Sequence, residues 1–318
     1  MSIGKFIEHW HARALLTAAL LLGISCRAAI TSNYLPPWNP PPQNGKHFMI
    51  PEVDIIADLH GDVVDPQLVV FFAGNQFMAV HDLVKAFQKA HPEYQRIYVE
   101  TLPPGILAQQ IEQGALVMGN LRIALKPDIY TAGTNQIAGL QRRHHWFADS
   151  ENYARNRLAL MVYQGNPKHI NGLKALSRTD VRISMPNPKW EGIARAIQMT
   201  YRKAGGETLD HQIMEVKVKA GTTHLTQIHH RQTPLRILRR QSDVGPVWYT
   251  EAYFQQHILH NPVELVSIPA DQNVRVTYAA ARMNTAPHTK AARDFMKFLL
   301  SPAGQAVYRH YGFMPPGK

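Results

Sequence analysis

Leu68-Val69-Val70-Phe71-Phe72, running into Ala73-Gly74-Asn75-Gln76, is the stretch on which the fold class turns. An unbroken apolar run of this length reads as a strand buried on both faces, the pattern of a parallel sheet covered by helices. Beyond the turn, Val80, Leu83, Val84 and Phe87 fall at i, i+3, i+4 and i+7, the stripe of an amphipathic helix. His91-Pro92 ends it, because proline drives the residue before it out of helical geometry. The rhythm then repeats. Arg96 to Thr101 alternates like a strand, and Pro103-Pro104-Gly105 opens a second helix carrying Ile106, Leu107 and Ile111. Asp128 to Ala132 is a third short strand, and Gly133-Thr134-Asn135 leads to a third helix. This βαβαβ order predicts a parallel sheet with right-handed crossovers.

Further along, Arg157 to Tyr163 is another apolar run, and Val181 to Met185 a strand followed by a turn over Pro186 to Trp190. A helix is predicted from Gly192 to Ala204, stopped by Gly205-Gly206. Thr223 to Arg240 reads as a basic helix interrupted near Pro234, with Arg231, Arg236, Arg239 and Arg240 forming a solvated face. Strands are expected over Val244 to Tyr249 and Val274 to Arg282. His288 to Leu300 places Ala292, Phe295, Met296, Leu299 and Leu300 on one helix face, and Ser301-Pro302 opens a last helix, serine as cap and proline first.

The 318-residue chain is 45% apolar and carries a formal net charge of +11. That charge suits nucleic acid, an anionic ligand or an anionic membrane face. No zinc-finger spacing, RNP-like aromatic run or Lys/Arg tract supports a nucleic-acid partner. The single cysteine, Cys26, excludes an internal disulfide. Lys5 and Arg13 precede the apolar run Ala14 to Ser25, with Ala28 and Ala29 after it, so residues 1–29 read as a secretory signal and the protein as periplasmic. Gly23-Ile24-Ser25-Cys26 only partly resembles a lipoprotein box, since an apolar residue belongs at Gly23. Residues 30–65, including Leu35-Pro36-Pro37-Trp38-Asn39-Pro40-Pro41-Pro42, read as a Pro-rich spacer, with Val53, Ile55 and Ile56 in a short edge strand. No Gly-x-Ser-x-Gly elbow, Walker loop or His-Glu-x-x-His motif is present, which points away from an enzyme. Among seventeen histidines, His257 and His260 have helical i, i+3 spacing, but no third ligand can be read beside them, so no metal or cofactor is assigned. The cluster His224, His229 and His230 reads as surface histidine on the basic helix.

The order of segments resembles the periplasmic molybdate-binding proteins and other type II extracellular solute-binding proteins of ABC importers. The resemblance runs from Leu68 to Pro315. Its pieces are Val70 to Asn75 with the helix behind it, Asn156 to Val162 followed by Gly165-Asn166-Pro167, and Ile183 to Gly192. Gly245-Pro246-Val247-Trp248-Tyr249-Thr250-Glu251-Ala252 and the closing run Ala291 to Phe313 complete it. The family's fold has two α/β lobes, each a mostly parallel sheet flanked by helices, joined by two crossovers. Carried over, lobe one would be 66–155 plus 262–318 and lobe two 156–261. A monomer would capture a small anionic solute and hand it to the importer permease. The alternative is a binding-lobe protein acting as an extracytoplasmic sensor or redox-enzyme partner.

Helix N-termini offer unpaired N–H groups and partial positive charge, so several aimed at one cleft can hold an anion. The resemblance places Gly74, Asn75 and Gln76, then Thr101, Pro104 and Gly105, then Lys189, Trp190 and Glu191, and finally Trp248 and Tyr249 around the ligand. The same residues have plainer uses: Gly74 a tight turn, Asn75 a helix cap, Trp248 core packing. The molybdate binders use serine hydroxyls in the first two turns, whereas here Asn75 and Pro103-Pro104-Gly105 stand there. Glu191 would repel an oxyanion unless a cation compensates, and a zwitterion would suit it. Trp190 and Trp248 suit a ligand with an apolar or cationic part.

Overall fold

The computed structural model describes residues 52–53, 58–118 and 121–317. The expected signal, Cys26, the Pro-rich run, and Ile55 and Ile56 lie outside these. Val117–Arg122 falls outside the larger unit, Gln43–Leu116 with Ile123–Lys318, which carries everything below. β4 (Leu116–Met118) and β5 (Leu121–Ile123) form a two-stranded ribbon.

The opening stretch is strand β2 (Leu68–Ala73), buried along its whole length. A 3₁₀ turn, Gly74–Gln76, passes it into α1 (Phe77–Ala90), whose buried face includes Val80, Leu83, Val84 and Phe87 as the stripe requires. β3 (Ile97–Leu102) lies parallel to β2, from Leu68↔Ile97 to Ala73↔Leu102, and is followed by α2 (Pro104–Gln113). β6 (Ile129–Gly133) runs parallel to β2 on its other side and leads into α3 (Thr134–His144). β1 (Leu59–Gly61) covers the free edge of β3 antiparallel.

Strand β7 (Phe147–Tyr163) joins the halves of the molecule. Residues 147–157 pair antiparallel with β12 (Arg275–Met283), itself beside β6. From Leu158 onward β7 instead pairs with β10 (Val244–Trp248) and β11 (Val263–Ser267). Sequence patterning saw only the apolar end of this strand, because 148–152 are exposed and break the run. The second sheet continues through β8 (Ile183–Met185) to β9 (Thr223–Leu225), both parallel to β10. β11 pairs with β7 in the second sheet, and from Arg275 onward β12 pairs with β7 in the first.

Helix α4 (Ile193–His211) breaks at Gly205-Gly206 as expected, both glycines being non-helical, and a second helical segment resumes beyond them. Gly206 takes φ 69°, a left-handed value that glycine tolerates, so the pair kinks the helix and lets Leu209 pack against Gly205. A π turn, Gln212–Val216, and α5 (Lys217–Lys219) extend it.

The basic helix expected over Thr223 to Arg240 is corrected. Its first residues form β9, because the edge of β8 offers them a ladder, and only Gln232–Leu238 is helical, α6. Pro234 falls within the first turn of α6, where its missing N–H costs nothing. Nor do all four arginines form a solvated face: Arg239 and Arg240 are exposed, but Arg231 and Arg236 are not. Arg231 is fully buried, its guanidinium 2.7 Å from Asp58 and 4.1 Å above the Phe77 ring. Arg236 binds the carbonyls of His224 and Leu225 at 2.9 and 3.2 Å. Arg239, exposed, pairs with Glu52, and Arg240 lies over Tyr163. Asp58 belongs with the first sheet, where it accepts from the Thr101 hydroxyl at 2.7 Å. Arg231 stands between β9 and α6, so the buried ion pair ties the two sheets' lobes directly.

α7 (Tyr249–Tyr253) follows β10, and α8 (Thr289–Leu300) and α9 (Pro302–His310) return to the first lobe. Phe295 of α8 sits edge-on to Phe72 and Phe87 in that lobe's core. Ser301 caps α9 as expected, accepting from Gly304 N at 3.2 Å. Ser301→Ala should cost about 1 kcal/mol, read as a lower urea midpoint with an unchanged slope.

Candidate functional site

The strands of both lobes end at one cleft of about 590 Å³. Several of them are followed by a helix whose N-cap residue lines it, the arrangement by which open α/β sheets bind ligands. Five helix starts meet there, with Ala73, Pro103, Gly133, Gly192 and Trp248 at the N-cap, and none of them has a side chain bonded to the helix's first amides. Serine, threonine, aspartate or asparagine would ordinarily stand in such places. Their absence leaves N–H groups and the positive ends of helix dipoles directed at the shared space. Arg143, Lys189 and Arg195, all exposed, add positive charge to the walls.

Of the residues expected around the ligand, Gly74, Asn75, Pro104 and Gly105 line the cleft from the first lobe. Lys189, Trp190, Glu191 and Trp248 line it from the second. Gln76, Thr101 and Tyr249 stand elsewhere. Gln76 is buried between the hydroxyls of Tyr153 and Tyr308. Thr101 is turned to Asp58, and Tyr249 lies under the Arg157 guanidinium, 3.9 Å from the ring centre. Asn75 does not cap α1. Its amide donates to the Tyr278 hydroxyl at 2.6 Å, holding a cleft-lining ring from the crossover strand β12. Trp190 brings an indole Nε1 that is buried without a hydrogen-bond partner among the described residues.

Glu191 is not a free charge facing the ligand. It is buried and accepts from the Asn187 amide at 3.3 Å, from the Thr226 hydroxyl, and from the His230 amide at 3.4 Å. Burial raises its pKa above the ordinary carboxylate value, against the pull of His230, Thr226 and Asn187. The carboxyl therefore pins the loop after β9 to the turn before α4.

His230, carried on that loop, also lines the cleft, with Nδ1 2.5 Å from Glu251 Oε1 of α7. Burial disfavours its charged form, but the Glu251 and Glu191 carboxylates outweigh burial and raise its pKa above the usual histidine value. The expectation of surface histidines is corrected here: His229 is fully buried beside Asp58, at 3.6 Å, and His230 is mostly buried.

Sequence reasoning missed Arg143, Arg195, His230 and Tyr278. Gly133-Thr134-Asn135 carried a legible signal, a strand-to-helix turn with an uncapping glycine like the other turns. His230 carried none, because its segment was read as part of a basic helix. Of the metal expectation, His257 and His260 gain no third ligand among the described residues. The group there with metal-ligand spacing is His91, Glu93 and Asp294, and Asp294 is already held by Lys290 at 2.7 Å and the Tyr94 hydroxyl at 2.8 Å.

A two-lobed type II periplasmic-binding-protein fold, with two crossovers and a cleft at the strand ends, defines a class of proteins that enclose solutes. Residues 68–314 match the bacterial extracellular solute-binding proteins, and the chain belongs to that family. Among solved structures, the periplasmic molybdate-binding protein of Azotobacter vinelandii superposes with a TM-score of 0.63 at 16% identity, over 79% of this chain and 100% of that one. Iron-bound HitA from Pseudomonas aeruginosa gives 0.61 at 14%, over 79% and 86%. The sulfate-binding protein SubI from Mycobacterium tuberculosis H37Rv gives 0.59 at 20%, over 78% and 85%. No curated protein sequence matches significantly. No helix among the described residues is long and apolar enough to cross a membrane.

Proposed function

We propose that the protein captures a small anion between its lobes in the periplasm and delivers it, as a monomer and without catalysis, to the permease of an ABC importer. The observation that carries this reading is the convergence of uncapped helix starts on a single cleft whose wall cations outnumber its one enclosed carboxylate. The similar structures do not choose the solute, since they include molybdate-binding, sulfate-binding, iron-bound and thiamin-binding proteins. The choice of an anion rests on the helix starts and on Arg143, Lys189 and Arg195. Glu191, which argued against an oxyanion in the sequence, is engaged by its own loop and leaves those donors unopposed. For the lobes we propose limits that follow the strand pairing, with one crossover inside β7 near Arg157 and the other at the start of β12 near Arg275.

A thermal-shift panel of molybdate, sulfate, phosphate and methanesulfonate, set against thiamin and ferric ion, tests the reading. A bound anion at a hundredfold excess over Kd stabilises the fold by about 2.7 kcal/mol, which raises Tm by several degrees. Stabilisation by the cations alone would sink it.

A further inference from the structure

We propose that His230 is a further ligand-facing cation of the cleft beside Arg143, Lys189 and Arg195, and that capture of an anion draws a proton onto it, so that the cleft loads best in acid and releases as the medium turns alkaline. This rests on the anion reading above.

The geometry assigns the role. His230 lines the cleft, its Nδ1 is committed to Glu251 at 2.5 Å, and its amide is tied to Glu191 at 3.4 Å. The backbone is held at φ 56°, a left-handed conformation open to few residue types. Glu251 thus fixes the imidazole, and Glu191 its backbone, beside the ligand space. The other charges around it are spoken for: Arg231, the next residue, pairs with Asp58 at 2.7 Å, and the His229 ring packs edge-on at 5.5 Å while also facing Asp58. With His230 neutral, the cations nearest this floor of Glu191 and Glu251 are Arg231, which pairs with Asp58, and Arg236, which is held by the carbonyls of His224 and Leu225. An anion entering then adds a third negative charge, and protonating the imidazole offsets it. The pKa of His230 is already raised, and burial raises that of Glu191 as well. Both groups therefore lose protons as pH climbs, each loss makes the floor more negative, and both act against a bound anion in the same direction.

Calorimetric titration of the full-length protein with sulfate, molybdate and methanesulfonate, which keep their charge near neutrality, tests this between about pH 6 and about pH 8.5. Kd should rise about tenfold across that range, the difference between a charge-assisted and a neutral contact. Buffers of different ionisation enthalpy should show proton uptake on binding. His230→Asn, which suits the left-handed backbone, should abolish the uptake, flatten the profile and weaken binding about tenfold at the acid end. Glu251→Gln, which removes the carboxylate holding the proton, should move the profile to lower pH. A flat wild-type profile, or a slope that survives in His230→Asn and stays in place in Glu251→Gln, would overturn the inference while leaving anion binding intact. Failure of all these anions to bind at any pH would instead bring down the reading beneath it.

Discussion

Arg231→Met will lower the unfolding free energy by about 3–5 kcal/mol, the usual cost of stripping one partner from an enclosed ion pair. The guanidinium meets Asp58 at 2.7 Å, both groups have no exposure, and Phe77 closes over the face of the cation. Without Arg231, the Asp58 carboxylate keeps the Thr101 hydroxyl and His229 but loses its full positive charge. Removing both charges at once, in Asp58→Asn with Arg231→Met, should recover most of the loss, because two neutral groups no longer demand compensation. Urea denaturation of the single and double variants decides. A single variant within about 1 kcal/mol of wild type would mean the pair contributes little to holding the lobes together.

Glu100→Gln should stabilise the protein at alkaline pH by about 3 kcal/mol and leave it almost unchanged in acid. Glu100 is fully buried in β3, receiving the Tyr98 hydroxyl and the Gln110 amide on one oxygen at 3.0 Å each, while the other oxygen has no hydrogen bond. Burial pushes its pKa up from 4.5 to about 7, only partly opposed by Gln110 and Tyr98. The folded state thus holds its proton more tightly than the unfolded chain does. Below pH 4.5 both states are protonated and the neutral acid sits in place without penalty. Between 4.5 and about 7 the unfolded chain gives up the proton first, and stability drains away across that window. A glutamine never ionises, so its curve should stay flat there. Parallel pH profiles of ΔG for the two proteins would refute the assignment.

Much of the first lobe was legible because its strands are buried on both faces and its helices carry clean stripes. Leu68 to Phe87 reads as one strand and one helix without tertiary information. The second lobe was harder. Thr223–Leu225 becomes a strand only because β8 presents an open edge, a fact about a neighbour some forty residues away in sequence. Arg231 and His229 are buried only because Asp58 receives them, and nothing local in a basic segment announces that. In the site, the turns were readable from their glycines and prolines at strand ends. The direction of Glu191 was not, since a carboxylate that faces a ligand and one that braces a loop look identical in a string of letters.

The bare helix starts have a consequence for how an empty molecule differs from a loaded one. The N-cap residues Ala73, Pro103, Gly133, Gly192 and Trp248 bring no side-chain acceptor to the amides of these first turns, and a guest can supply one. Loading then quenches segments drawn from both lobes at a single stroke, so deuterium uptake at those scattered positions should fall together and to the same extent. The guest serves as the missing cap that the sequence withheld, and the tightening of distant segments becomes the imprint by which a transporter can tell a filled carrier from a vacant one.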